Sequence, residues 1–418
     1  MKNIPTKYLL IALIVLSALL RLFRLDYPNK FIFDEVYHAF TANEYLKGSK
    51  EAWEWWTTPP PGVAYEWTHP PLAKEIMTAS MFLTRSTDAW AWRLPGALLG
   101  VLSVYLVYLL GLRLLNNQTV SLIAAFAHSI DGLNFVQSRV GMNDIYFVTF
   151  MLASLLLLLN KKFVFAAIFL GLSLSSKWAA VYVFAMYLII FIYDYFSLQK
   201  GKVLRAQNII SYIVARAGPY ILIPPLVYLL TYIPFFSLGH TPEQFIHLQQ
   251  QMWWYHTNLK ATHDYASPWW SWPLNLYPVW YFVDYHKNSI ANIFASGNPA
   301  VFWVGAAAII LTAIETVKKK SLNLFIILLG FFVFWLPWAI SPRIMFLYHF
   351  GPSIPFLSLA IGYQLELLYK EKRQKMVIIL LILMGLSFIL IYPFLVGLSI
   401  PKSFVNLFFL TNMSKNPF

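Results

Sequence analysis

Apolar stretches of about 20 residues recur along the whole chain, and each is long enough to cross a lipid bilayer as a helix. Charged residues make up 12% of the 418-residue chain, about half the share that a soluble domain carries. The pattern predicts an all-α integral membrane protein and argues against a large soluble core. We place about eleven membrane-spanning helices, at residues 8–25, 94–114, 118–135, 143–160, 163–177, 178–196, 212–236, 299–317, 321–340, 344–368 and 376–398.

Basic residues lie mainly in short clusters between these stretches. Cytoplasmic loops are enriched in lysine and arginine, so the clusters orient the chain. The basic positions that we place in the cytoplasm are Lys2, Lys7, 161–162, 200–205, 318–320 and 370–375. Two long polar segments, 26–93 and 237–298, then lie together on the outer side. The net charge of +13 is therefore a topology signal, and we expect no nucleic acid partner. No small-residue cleavage site follows the first stretch, so we expect it to stay as a membrane span.

Two adjacent carboxylates, Asp34 and Glu35, follow the first span within the stretch FIFDEVYHAF, residues 31–40. Most acids in loops are solvated or paired with a base. This pair has apolar and aromatic neighbours at the membrane surface, where desolvation raises the pKa of a carboxyl group. A carboxylate in such a place can accept a proton from a hydroxyl group. The pair is therefore a candidate catalytic group.

A second stretch, THPPLAK at 68–74, contains two prolines that fix an extended backbone. It could stiffen the loop before a helix, or it could hold His69 or Lys74 against a binding site. The outer segments are also rich in tryptophan, including Trp269 and Trp270. Tryptophan side chains are enriched at the membrane–water interface, and their rings can also stack on a sugar.

Isolated cations on the outer side run against the positive-inside bias, so each needs an acidic partner or a bound anion. A phosphate attached to a lipid would be such an anion. These cations are Lys74, Arg85, Arg93, Arg139, Lys177 and Arg343.

The chain has no cysteine, and the outer histidines and aspartates at 256–286 match no metal-ligand spacing, so we predict no metal site. No glycine-rich phosphate loop is present, which argues against a nucleotide substrate.

Eight stretches resemble, in the right order, the protein O-mannosyltransferases, which use dolichyl- or polyprenyl-phosphate mannose and have the GT-C fold. The stretches are ALLRLFRLDYPNKFIFDEVYHAF (18–40), THPPLAKEI (68–76), AWRLPGALLGVLSV (91–104), QSRVGMNDIYFVTF (137–150), GLSLSSKWAAVYVF (171–184), HDYASPWWSWPLNLYPVWYF (263–282), SGNPAVFW (296–303) and PRIMFLYHFGPSIPFLSLAIGY (342–363).

The resemblance implies three regions: a catalytic membrane module at 1–236, an outer loop at 237–298 and a four-span module at 299–418. Eukaryotic members carry a large β-trefoil (MIR) domain where this chain has only the 62-residue outer loop at 237–298. The chain thus resembles a short prokaryotic member of the plasma membrane, with its active site on the extracytoplasmic side.

The same resemblance implies an inverting transfer of mannose from a prenyl-phosphate donor to Ser or Thr hydroxyls of secreted or membrane proteins. The secretion translocon is one place where such acceptors would meet the enzyme, and the oligomeric state is left open. No cofactor or metal would be obligatory. The implied roles are general base for Asp34, support for Glu35, donor-phosphate binding for Arg93, Lys177, Arg139 and Arg343, and substrate positioning for His69, Lys74, Trp269 and Trp270.

Three alternatives remain open at this point. A related GT-C enzyme could move another sugar, such as arabinose, from a prenyl-phosphate donor to a lipid or glycan. A secondary transporter would usually show paired repeats and polar residues at mid-membrane, and neither pattern occurs here. A non-catalytic scaffold would not need the acidic pair.

Overall fold

A computed structural model describes residues 5–198 and 206–405, and it is mainly α-helical. Lys2 and the predicted basic cluster at 200–205 lie outside the described residues. The amino-terminal helices are α1 (Thr6–Leu22), α2 (His38–Leu46), α3 (Leu72–Thr84), α4 (Ala89–Leu115), α5 (Gln118–Ser129), α6 (Gly132–Gln137), α7 (Asp144–Leu159), α8 (Phe163–Ser176), α9 (Val181–Leu198) and α10 (Ala206–Leu230). The remaining helices are α11 (Ile233–Ser237), α12 (Pro242–Asn258), α13 (Pro299–Lys319), α14 (Leu322–Trp335), α15 (Ile354–Lys370), α16 (Gln374–Val396) and α17 (Lys402–Val405).

A helix lies at each of the predicted spans, which confirms the positions of the apolar segments. Some of these helices are short, and the count of eleven crossings stays a prediction. Among the described residues, five helical segments are long and apolar enough to cross a membrane: Ala89–Leu115, Trp178–Phe196, Pro299–Lys319, Leu322–Ile340 and Gln374–Val396.

The outer loop at 237–298 contains strands that the all-α prediction missed. Strands β1 (Val279–Tyr285) and β2 (Ser289–Ala295) form an antiparallel hairpin, and β3 (Ser399–Pro401) pairs with β2. The sequence of β1, VWYFVDY, is rich in valine and aromatic residues, which favour strands. A short apolar run of this kind is equally compatible with the end of a helix, so hydrophobic periodicity alone did not distinguish a strand from a helix here.

The helices before the outer loop and those after it share one hydrophobic core, because buried residues of α5 and α7 belong to the same cluster as those of α13, α14 and α15. Helices α5 and α15 pack very closely at Gly362, where an added Cβ would lie 2.4 Å from the carbonyl oxygen of Val120. A larger residue here would push α5 and α15 apart.

The basic turns and the acidic pair lie at opposite ends of the helix bundle. Lys161 and Lys162 connect α7 to α8, whereas Asp144 at the start of α7 and Lys177 just after α8 lie at the other end, beside Asp34. Helices α14 and α15 repeat this arrangement, because lysines lie at one end of each helix, whereas the segment that joins their other ends lines the same cavity.

Candidate active site

A cavity of about 450 Å³ opens at the end of the bundle that carries Asp34. Its walls come from the first outer segment, the facing ends of α7, α8 and α9, one side of α12 and the segment at 337–349. The polar residues in its lining are Asp34, His38, His69, Asn143, Asp144, Lys177, Tyr182, His256, Ser341, Arg343, Tyr348 and His349.

Asp34 lies in a single helical turn, Phe33–Val36, that points its carboxyl group into this cavity. Phe33 fixes the turn by stacking on Tyr281, with ring centroids 4.1 Å apart. Burial, followed by the neighbouring carboxylates of Glu66 and Asp144, raises the pKa of Asp34 to about 7, against the opposing effect of Lys177. A carboxyl group with a pKa near neutrality is well suited to act as a general base.

Glu35 points away from the cavity and is fully buried. Its Oε1 accepts hydrogen bonds from Trp92 Nε1 at 3.1 Å, Arg93 Nε at 2.7 Å and Gly141 N at 2.8 Å. Its Oε2 accepts from Arg93 Nη2 at 2.7 Å and from Ile32 N at 3.1 Å. Glu35 therefore fixes the turn that carries Asp34, as the predicted supporting role requires.

Arg93 does not face the cavity, contrary to the prediction that it binds the donor phosphate. Besides its two bonds to Glu35, it donates to the carbonyl oxygens of Leu25 and Pro28 at 3.1 Å and of Lys30 at 3.2 Å. These bonds occupy the whole guanidinium group, which has five N–H donors. The structure thus gives Arg93 a structural role in shaping the segment between α1 and the turn that carries Asp34.

Arg139 also has a structural position in place of the predicted phosphate contact. Its guanidinium group donates to the carbonyl oxygens of Leu20, Arg21 and Arg24, at the end of α1. Leu20 and Arg21 are in the last turn of α1, where carbonyls lack partners within the helix, so Arg139 caps the helix and holds it against the turn before α7.

Lys177, which the sequence analysis assigned to donor-phosphate binding, lines the cavity. Its Nζ donates to Asp144 Oδ1 at 2.7 Å, while Asp144 Oδ2 is buried without a hydrogen-bond partner among the described residues. The pair keeps an ammonium group beside Asp34 without leaving it as an isolated buried charge.

Arg343 is the second cation in the cavity wall, and His256 on α12 orients it. Arg343 Nη1 donates to His256 Nδ1 at 2.6 Å. A guanidinium group cannot accept a hydrogen bond, so the proton of the neutral imidazole is on Nε2, which donates to the Thr68 carbonyl at 2.8 Å. Burial, followed by the charge of Arg343, lowers the pKa of His256 to about 4 and keeps it neutral. Arg343 Nε is buried and has no partner among the described residues, which leaves it available for an anion.

His69 reaches the cavity, and Lys74 lies behind it. The Nδ1 atom of His69 is 3.0 Å from Glu66 Oε1 and 2.9 Å from Thr68 Oγ1. The ammonium of Lys74 donates to the backbone carbonyls of Glu66 at 2.5 Å and His69 at 2.9 Å. Lys74 can therefore position a substrate only indirectly, through the backbone of the loop.

The predicted tryptophans, Trp269 and Trp270, are not among the residues that line the cavity. Trp269 packs on Trp335, with centroids 5.4 Å apart, and Trp270 is exposed. The tryptophans in the cavity wall are instead Trp178, Trp253 and Trp338.

The sequence analysis also missed several polar residues of the cavity. His38, Asp144, Tyr348 and His349 are adjacent to or within motifs that it quoted. The signal available in the sequence was that each is a polar residue in or beside a quoted motif. Only the fold shows that the four line one cavity.

Family models match both halves of the chain. Residues 11–238 match the model described as dolichyl-phosphate-mannose-protein mannosyltransferase, and residues 241–412 match the C-terminal four TMM region of protein-O-mannosyltransferase. A polyprenol-phosphate-mannose–protein mannosyltransferase of Mycolicibacterium smegmatis is 24% identical over 420 positions, covering 81% of this chain and 80% of the relative. A protein of the same name from Mycobacterium tuberculosis is 24% identical over 417 positions, covering 81% of this chain and 79% of the relative.

Solved structures share the fold at low sequence identity. The donor-bound Pmt1–Pmt2 protein O-mannosyltransferase complex of Saccharomyces cerevisiae has a TM-score of 0.82 at 16% identity, with 97% of this chain and 92% of that chain covered. ArnT of Cupriavidus metallidurans bound to undecaprenyl phosphate has a TM-score of 0.59 at 14% identity, with 87% of this chain and 61% of that chain covered. The fold is thus the predicted GT-C glycosyltransferase fold, and the chain belongs to the dolichyl-phosphate-mannose–protein mannosyltransferase family.

Proposed function

We propose that the protein transfers mannose from a polyprenyl- or dolichyl-phosphate mannose donor to Ser or Thr hydroxyls of proteins, with inversion at the anomeric carbon. The observation that carries the proposal is the combination within one cavity of a carboxyl group with a pKa near 7, Asp34, and two cations, Lys177 and Arg343.

The reaction is one displacement. The acceptor oxygen attacks the anomeric carbon on the face opposite the phosphate, and the bond from that carbon to the phosphate oxygen breaks. Asp34 takes the hydroxyl proton, and the bonding electron pair leaves with the prenyl phosphate. Negative charge grows on the phosphate in the transition state, where Lys177 and Arg343 stabilise it electrostatically. Because these residues supply the positive charge, we propose that no metal ion is obligatory.

The wall of the cavity also suits a lipid-linked donor. Val181 and Ile340 line the cavity and are 55% and 87% exposed, and they lie on two of the segments that are apolar enough to cross a membrane. A prenyl chain could therefore lie along this side while its phosphate reaches Arg343.

We further propose that the site faces the outside of a prokaryotic plasma membrane, where acceptor polypeptides leave the translocon. The position of the cavity at the end of the bundle opposite the lysine-rich turns supports this orientation.

The test uses purified protein in lipid nanodiscs with labelled polyprenyl-phosphate mannose and a Ser/Thr-rich peptide. The proposal expects label on the peptide, with α-linked mannose formed from a β-linked donor. Asp34→Asn serves as the inactive control. Label found only in lipid or glycan, or an equal rate with Asp34→Asn, would contradict the proposal.

A further inference from the structure

Three potential metal ligands converge in the wall of the cavity, although they come from two separate parts of the chain. His38 is the first residue of α2, and Glu66 and His69 belong to the loop before α3. One donor atom from each of the three lies within 4.8 Å of the others. His69 Nδ1 is 3.0 Å from Glu66 Oε1, and His38 Nε2 is 4.0 Å from Glu66 Oε2. In a tetrahedral zinc site with bonds of 2.0–2.1 Å, neighbouring ligand atoms are about 3.3 Å apart, so small side-chain shifts would complete the geometry.

His38 has unused coordinating capacity. The residue is only 3% exposed, and its Nδ1 has no hydrogen-bond partner among the described residues. Its Nε2 is too far from Glu66 for a hydrogen bond. Nε2 is the nitrogen that faces Glu66, so a metal ion bound to it would give the ring a partner that the described residues do not supply.

The loop that carries the other two ligands is held in place by its own contacts. Lys74 binds the backbone carbonyls of Glu66 and His69, His256 binds the carbonyl of Thr68, and the Thr68 hydroxyl donates to Glu66 Oε1 at 2.5 Å. Such surrounding bonds orient the ligands before an ion arrives, as outer contacts do in known metal sites.

We propose that His38, Glu66 and His69 form a binding site for a divalent cation of the zinc class, which links α2 to the loop before α3. Two imidazoles and one carboxylate suit Zn²⁺ and leave one coordination position free. Both histidines line the cavity, so that position opens toward it. The ion stabilises this wall and takes no part in the transfer step, for which Asp34, Lys177 and Arg343 suffice.

The experiment measures metal binding with no mannose donor or acceptor present, so its outcome is independent of the proposed transferase activity. Full-length protein is purified with a tag that contains no histidine, stripped with a chelator and equilibrated with buffered Zn²⁺. Metal content is measured per chain. Co²⁺ is used in parallel, because its visible absorption distinguishes four-coordinate from six-coordinate sites.

The variants are His38→Gln and His69→Gln, with His247→Gln as the matched control on the exposed side of α12. Size-exclusion profiles and thermal unfolding of the metal-free proteins establish that each variant is folded. We expect one Zn²⁺ per chain, a four-coordinate Co²⁺ spectrum, and a rise in unfolding temperature on adding Zn²⁺. Loss of one ligand should weaken binding by more than about 100-fold, since loss of an outer contact alone weakens it 10- to 100-fold.

Equal binding by the wild type and His38→Gln would overturn the proposal, because the ion would then lie elsewhere. No stoichiometric binding at micromolar free Zn²⁺ would also overturn it, leaving a hydrogen-bonded Glu66–His69 pair. If His38→Gln fails to fold, His69→Gln and the Co²⁺ spectrum of the wild type decide the question.

Discussion

The adjacent carboxylates Asp34 and Glu35 should respond in opposite ways to loss of charge. Glu35 accepts five hydrogen bonds in a fully buried position, two of them from Arg93. Glu35→Gln keeps the volume of the side chain but leaves the Arg93 charge buried and uncompensated. Breaking such a pair destabilises a protein by about 3–5 kcal/mol, which is about two to nearly four orders of magnitude in the folding equilibrium.

Asp34→Asn should instead leave the protein at least as stable as the wild type near pH 8. The pKa of Asp34 is raised from 3.8 to about 7 in the folded protein. Its ionised form is therefore disfavoured by folding, and stability is lost as the pH rises from about 4 to about 7. Asparagine removes that loss, so the difference between the variant and the wild type should disappear below about pH 4.

Thermal unfolding in detergent, followed through the 16 tryptophans, measures both effects. Large membrane proteins commonly unfold irreversibly, so the inactivation half-life at a fixed temperature is recorded as well. The double variant Glu35→Leu/Arg93→Leu should lose less stability than the two single changes added together. A Glu35→Gln protein as stable as the wild type would refute the structural role of Glu35, and an inactive but stable one would indicate a catalytic role.

The remaining predictions concern activity. Log kcat/KM should rise with a slope of one per pH unit below about pH 7 and level off above it, as Asp34 loses its proton, and Asp34→Asn should lower turnover about 10²- to 10⁴-fold and remove this dependence. Lys177→Met should lower turnover about 100-fold by removing phosphate stabilisation, with partial recovery in Lys177→Arg. His256→Phe should raise the KM for the donor about tenfold by releasing Arg343, whereas His256→Asn should retain most affinity because its amide oxygen can accept the same hydrogen bond.

Each of these predictions has a clear contrary result. A flat pH profile in the wild type would remove Asp34 from the role of base. An unchanged turnover in Lys177→Met would mean that the ammonium group does not reach the phosphate. Equal KM values for His256→Phe and His256→Asn would show that the bond to Arg343 does not govern donor binding.

The sequence predicted the apolar segments and singled out Asp34, which lines the cavity, but it did not show which cations face the cavity and which hold the backbone. Apolar length sets the helices, and an acid among aromatic residues marks Asp34. Arg93 and Arg139 could not be separated from Lys177 in this way, because their partners are mostly backbone carbonyls, which no sequence pattern reveals. The His256–Arg343 bond joins residues 87 positions apart, so it depends on the completed fold.

Two arginines bind the segment that leaves α1, and this has a consequence for biogenesis. Arg93 and Arg139 lie about 60 and 105 residues beyond Asp34 in the chain, yet they fix the backbone at 20–30 that leads to Asp34. A nascent chain therefore contains the turn that carries Asp34 long before the residues that hold this turn in place have been synthesised. An arrested or truncated product that ends before residue 139 should have its first loop unstructured, and newly made enzyme should gain activity only after both arginines have left the ribosome.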